Sequence, residues 1–163
     1  MLDAGIETII VVLGANRKKI RPVLVDLPVG IAINARPKSH MAESVSKGLA
    51  KMPEAVTGVM VALCDHPLVF PETYAALAAY HYQAPDSILL PVYKGKGGHP
   101  TVFPRDLCGG VHSGIPLNRV VHANTGRIYR IQMDDPGIAQ DMDTPDDYQR
   151  MLSLDMWQAS VEN

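Results

Sequence analysis

Residues 58–63, Gly-Val-Met-Val-Ala-Leu, form an unbroken apolar run that ends in Cys64-Asp65-His66-Pro67. A short valine-rich run closed by a proline turn reads as a strand buried on both faces, as in a sheet covered by helices. This strand is expected at the centre of the sheet. Further candidate strands lie at 6–13, 30–34, 87–92 and 127–133, and Thr101-Val102-Phe103 is a further extended piece. Residues 137–142 read as one more short strand.

Helical signals lie between these runs. Met41, Val45, Leu49 and Met52 recur at helical spacing, and Pro53 stops that segment. Pro71 suits the first turn of an alanine-rich helix over 71–82. A short helix over 17–24 is weakened by Pro22. Thr144-Pro145-Asp146-Asp147 starts another, with a hydroxyl N-cap, proline at the first position and acidic residues in the first turn. Residues 105–119 are rich in turn formers. Strands alternate with helices without a long linker. The chain, residues 1–163, therefore reads as a single α/β domain with a mostly parallel sheet. Ligands of such sheets bind beyond the carboxyl ends of the strands, so the residues that follow strands are the ones to examine.

Composition excludes several function classes. Lys and Arg number 15 against 17 Asp and Glu, a net charge of −2. There is thus no basic excess of the kind that nucleic-acid binding needs. No apolar run approaches the ~20 residues of a membrane span. The segment from Met1 to Glu7 has no basic head, and the expected location is the cytoplasm. Cys64 reads as a buried small hydrophobe, and the two cysteines, Cys64 and Cys108, have no zinc spacing. His40, His81, His112 and His122 have no metal-ligand spacing either. There is no Walker loop, no dinucleotide fingerprint and no serine elbow.

Four sets of residues could carry chemistry. Asp65 is either a ligand to Mg2+, a hard cation that takes oxygen donors and shares them with phosphates, or an Asx-type turn residue. Asp141 and Asp143 stand two apart on a segment read as extended and so point the same way. Helix capping accounts for Asp146 and Asp147 but not for this pair, which could share a cation with Asp65. An aspartyl nucleophile of the phosphatase kind would sit after an early strand, and that reading is set aside. In Lys94-Gly95-Lys96-Gly97-Gly98-His99-Pro100, the glycine amides and lysines could hold a phosphate, or the segment is a β-turn with solvated lysines. His99 and His66 are either substrate contacts or turn residues. Asn34 and Ser44 could contact a base or ribose, or act as turn and cap residues.

Taken in order, Asn34, then Glu43-Ser44-Val45 with Gly48-Leu49, then Ala62-Leu63-Cys64-Asp65-His66-Pro67-Leu68, then Gly97-Gly98-His99-Pro100, then Asp141-Met142-Asp143-Thr144-Pro145-Asp146-Asp147-Tyr148 resemble the MobA-like NTP transferases. Within that family the molybdenum-cofactor cytidylyltransferase branch is the nearest pattern. The resemblance spans nearly the whole chain. It implies a Rossmann-like, three-layer nucleotide-diphospho-sugar transferase fold. It implies transfer of a nucleoside monophosphate from an NTP, CTP favoured and GTP second, to a phosphorylated acceptor such as molybdopterin, with loss of pyrophosphate. Mg2+ would be the cofactor. Asp65 would match one metal aspartate, and Asp143, with Asp141, the other. Gly97, Gly98, His99 and Pro100 would lie by the acceptor, and Ser44 with Asn34 near the nucleotide.

Three features depart from the family pattern. The glycine-rich loop and lysine that open the family, with their strand, have no counterpart, so the chain reads as N-terminally truncated. The residue before Asp65 is Cys64 where glycine is usual, and the glycine that usually precedes the Ser44 motif is either replaced by His40 or displaced. Loss of a central strand would expose a sheet edge, which a partner or a second copy of the chain, a homo-oligomer, would cover. Two readings follow: a Mg2+-dependent nucleotidyltransferase, and a catalytically inactive remnant that serves as a binding or interaction domain.

Overall fold

A computed structural model describes residues 1–36, 40–109 and 115–153. His112 and part of the turn-rich 105–119 stretch lie outside the described residues. Strand β1 (Ile10–Leu13) pairs in parallel with β2 (Gly30–Ile33), with Ile10 opposite Gly30 and Leu13 opposite Ile33. Between them run a single helical turn, α1 (Arg17–Ile20), and a 3-10 turn over Arg21–Leu24. Pro22 has no N–H for a longer α-helical ladder, which accounts for the change of helix type. Helix α2 (Met41–Leu49) follows and packs on both strands.

The second sheet has five strands. They are β3 (Gly58–Val61), β4 (Ile88–Tyr93), β5 (Lys96–Gly97), β6 (Thr101–Pro104) and β7 (Ile128–Gln132). β4 is its hub: β7 runs parallel to it, and β5 and β6 pair with it antiparallel. β6 also pairs antiparallel with β3, Val59 opposite Phe103. The α/β class expected from the sequence holds, but two expectations about the sheet do not. The sheet is mixed rather than mostly parallel, because the chain reverses after β4 and returns as β6 between β3 and β4. For the same reason the apolar strand β3 lies at the margin of its sheet, paired with β6 alone among the described strands. Its apolar sequence reflects helices and loops above and below it, not a central position.

Helix α3 (Pro71–Gln83) covers one face of this sheet and α2 the other, giving three layers. On the α2 face, Leu49 joins Val59, Ile88, Phe103 and Val120, the last from α4 (Leu117–Ala123). On the opposite face, Leu77 of α3 packs with Leu89, Val102 and Ile131. Leu77, Ile88 and Leu89 are fully buried, and truncating any one to alanine costs ~2–5 kcal/mol. Met41 was expected on the buried face of α2, yet it is 56% exposed at the first turn of the helix. The last helix, α5 (Pro145–Leu152), starts as its sequence indicates. Thr144 Oγ1 accepts from the Asp147 N–H, and Asp147 Oδ2 accepts in return from the Thr144 N–H. Among the described residues no helix is long and apolar enough to cross a membrane.

Candidate active site

Two loop segments meet beyond the carboxyl end of β3. The first runs from Asp65 to Phe70, the N-cap of α3. The second runs from Asp135 to Asp143 and leads into α5. The Met142 N–H donates to the Asp65 carbonyl (2.8 Å), so the Asp141 and Asp143 positions flank a residue that touches the Asp65 backbone. Asp65 Oδ1 is buried and has no hydrogen-bond partner among the described residues. A buried carboxylate oxygen without a donor is costly, and a cation is one way to satisfy it. Asp141 and Asp143 are exposed to solvent. Among the described residues no three His, Cys, Asp or Glu side chains form a ready-made metal cage. That suits a divalent ion that takes one or two carboxylates and completes its shell with phosphate oxygens and water.

The segment 137–142 was expected as a strand and is instead opened by a 3-10 turn over Pro136–Ala139. Asp135 is the reason. Its Oδ1 accepts from the Gly137 N–H (2.8 Å), an Asx turn that bends the chain before a strand can form. Its Oδ2 accepts from the Phe70 N–H (2.9 Å) and the Thr73 hydroxyl (2.6 Å). Asp135 is 1% exposed, and both of its oxygens are used. Burial first, and then the Asp135 charge, push the Tyr74 phenol above its ordinary range. Sequence reasoning passed over Asp135, although Asp-Pro-Gly at 135–137 is a turn signature.

The glycine-rich segment resolves into two parts with different jobs. Lys94 and Gly95, both with positive φ (47° and 83°), form the two-residue turn of the β4–β5 hairpin. Lys94 and Lys96 are exposed here, and Lys94 lies over the Tyr93 ring at 5.0 Å. Gly98 packs against the 135–143 segment. Its N–H donates to the Pro91 carbonyl, and a Cβ there would collide with the Ile138 carbonyl. The His99 N–H donates to that same Ile138 carbonyl (2.9 Å). A Cβ on Gly137 would likewise collide with the Leu68 carbonyl. The glycines here permit backbone to approach backbone. Gly97 is exposed and Pro100 buried.

His99 faces His66 edge-on, ring centroids 5.3 Å apart. Burial, then the neighbouring His66, hold His99 below the ordinary histidine pKa, against opposing effects of a Val61 backbone hydrogen bond and Asp65. His99 is therefore neutral at pH 7 and presents a ring that can donate or accept a hydrogen bond.

Asn34 and Ser44 are brought together. The Asn34 Nδ2 donates to Ser44 Oγ (3.0 Å), and its backbone N–H donates to the Leu13 carbonyl. Asn34 is 2% exposed, so it braces Ser44 from within the fold. One further expectation changes: Cys64 is exposed, because the Leu63–His66 turn lifts it out of the strand, while Cys108 is buried. Both thiols are free.

Several solved structures share this fold. Rv0371c from Mycobacterium tuberculosis superposes with a TM-score of 0.77 at 24% identity, over 94% of this chain and 79% of that one. Its complex with manganese gives the same TM-score and identity, over 82% of that chain. A nucleotidyl transferase from Methanothermobacter gives 0.76 at 19% identity, over 92% of this chain and 74% of that one. A search of curated proteins finds no match. A family model, the MobA-like NTP transferase domain, matches residues 1–119. With that model spanning most of its length, the chain belongs to the MobA-like NTP transferase family.

Proposed function

We propose that this domain transfers a nucleoside monophosphate from an NTP, carried as its divalent-cation complex, to a phosphorylated acceptor. An acceptor phosphate oxygen bonds to the α-phosphorus, the bond from that phosphorus to the β-phosphate bridge breaks, and pyrophosphate leaves with the electron pair. The observation that carries the reading is Asp65 Oδ1, buried and without a partner among the described residues, on a residue whose own carbonyl is bonded to Met142 between Asp141 and Asp143. Asp65, with Asp143 and Asp141, would hold the cation, and Asp65 and Asp143 are the residues whose loss would abolish turnover. When bound, the ion would neutralise charge developing on the phosphate oxygens. Mg2+ is the expected ion, and the manganese complex of Rv0371c supports a divalent site in a protein of the same fold.

The remaining residues position the substrates. Neutral His99, with Gly97, Gly98 and Pro100, would face the acceptor. Ser44, braced by Asn34, would face the nucleotide. CTP as donor and a molybdopterin-type phosphate as acceptor follow from the sequence pattern, with GTP as the competing donor. The expected compartment is the cytoplasm, where NTPs are available. A second reading, a binding domain without catalysis, draws on one observation. Among the described residues no hydrogen-bonded ladder joins the β1–β2 pair to the five-stranded sheet.

Calorimetric titration with CTP, GTP and ATP, with and without Mg2+ or Mn2+, separates these readings. Cation-dependent binding of one nucleotide supports transfer and names the donor. Absence of binding by all three, under every condition, rejects the transferase reading for this chain and leaves the binding domain.

A further inference from the structure

The segments 65–70 and 135–142 are joined at two points. At one end the Met142 N–H meets the Asp65 carbonyl (2.8 Å). At the other, Asp135 takes the Phe70 N–H (2.9 Å) and the Thr73 hydroxyl (2.6 Å) on one oxygen and the Gly137 N–H (2.8 Å) on the other. Between these points the two segments are in backbone contact, because Gly137 lies so close to the Leu68 carbonyl that no side chain fits. The turn that Asp135 forms also presents the Ile138 carbonyl, which receives the His99 N–H (2.9 Å).

We propose that Asp135 is the positioning residue of this site: it fixes the separation of Asp65 from the Asp141–Asp143 segment, and with it the seat of His99. Asp135 does not touch substrate or cation. It acts through two covalent tethers, the five bonds of sequence from Asp65 to Phe70 and the turn from Pro136 to Ala139, each pinned to one carboxylate. A carboxylate suits the place because it has four lone pairs and no proton to clash with three donors. An asparagine offers one oxygen and must turn an NH2 toward either the Phe70 N–H or the Gly137 N–H. Asp135 also lies at the amino end of α3, where negative charge is favoured. The inference rests on reading Asp65, Asp141 and Asp143 as the cation-side carboxylates.

The test is Asp135→Asn in the full chain, with two readouts: Mn2+ affinity, by the loss of the free-ion paramagnetic resonance signal on titration, and amide hydrogen exchange at Met142 and His99. Direct outer partners of metal ligands are worth about 10- to 100-fold in affinity; Asp135 acts one step further out, through the backbone, so a loss at the low end, about tenfold, is expected. Exchange at Met142 and His99 should quicken while the amides of the β4–β7 ladder keep their rates, since the opening is local. Thr73→Val removes a single donor and keeps the fold if Asp135→Asn does not. It should move both readouts the same way, and Thr73→Ser should restore them. A uniform quickening of all amides with unchanged Mn2+ affinity would assign Asp135 to general stability and overturn the proposal. So would wild-type behaviour in both readouts, which leaves the transferase reading intact. Failure of the wild-type chain to bind Mn2+ rejects the cation reading instead. In that case selective exchange at Met142 and His99 upholds the positioning role, and unchanged exchange removes it.

Discussion

Asp65 and Asp135 sit at opposite ends of the same pair of loop segments, yet their surroundings differ in kind. Asp135 is fully buried, and each of its oxygens has a donor. Asp65 keeps one buried oxygen with no partner among the described residues. The first arrangement stabilises the fold, because three polar hydrogens are satisfied out of water. The second costs free energy unless something outside the chain satisfies it, which is the pattern expected where a ligand completes the site. The contrast teaches that a buried carboxylate is diagnostic of binding by its missing partners, not by its burial.

The sharpest way to break this comparison is to remove both carboxylates in turn. Asp135→Ala strands the Phe70 and Gly137 N–H groups without acceptors. At ~1–3 kcal/mol for each buried unsatisfied group, unfolding should become easier by about 2–6 kcal/mol. Urea denaturation would read this, and a loss below ~1 kcal/mol would mean that water replaces the carboxylate. Asp65→Ala should do the reverse. Stability should change by less than ~1 kcal/mol, while cation-dependent nucleotide binding should fall by about 100-fold or vanish. Unchanged binding in calorimetry would remove Asp65 from the cation site.

A third change probes the contact between the segments. Gly98→Ala drives a methyl into the Ile138 carbonyl, and overpacking of this kind costs ~1–3 kcal/mol. Thermal unfolding measures it. The effect should be accompanied by weaker acceptor use, since His99 bonds to the same carbonyl. His99→Ala should alter acceptor use more than NTP affinity, and steady-state kinetics with the two substrates varied separately would decide. The opposite split would move His99 to the nucleotide side.

Far from the site, His81 gives a smaller, pH-dependent effect. Its ring accepts from or donates to Thr57 Oγ1 (3.0 Å), and burial lowers its pKa against an opposing pull from Asp86. The folded state therefore resists protonation more than the unfolded chain does. The stability contributed by neutral His81 is complete above the unfolded value of ~6.5 and declines as pH falls from there toward the folded pKa. His81→Gln should flatten that decline, as followed by denaturation at pH 5 and pH 8. The smallest effect is expected in the β4–β5 turn. Lys94 has φ 47°, and asparagine tolerates that region better, so Lys94→Asn should stabilise by a few tenths of a kcal/mol at about neutral cost to activity. A large activity loss there would favour the phosphate-binding reading of the hairpin lysines.

Local rules made much of this molecule legible. The capping box of Thr144 and Asp147, the proline start of α3 and the apolar strands depend on neighbours in sequence, so pattern reading found them. Asp65, Gly98 and His99 were singled out as candidates because ligand chemistry favours such residues after strands. The role of Gly98 was not found, since its lack of a Cβ serves a backbone 40 residues away. Cys64 and Met41 were misjudged because burial depends on what lies above a residue, not on its own hydrophobicity.

The sequence by itself determined the α/β class, the family and the order of the site motifs, since each is carried by short-range periodicity or by a local string of residues. Tertiary structure alone decided that β3 stands at the margin of a mixed sheet and that Asp135 joins two loops. Strand neighbours and hydrogen-bond partners 60 or more residues apart (Asp135 and Phe70 are separated by 65) are chosen by how the whole chain packs. Nothing in the residues around Asp135 names Phe70 or Thr73 as its donors.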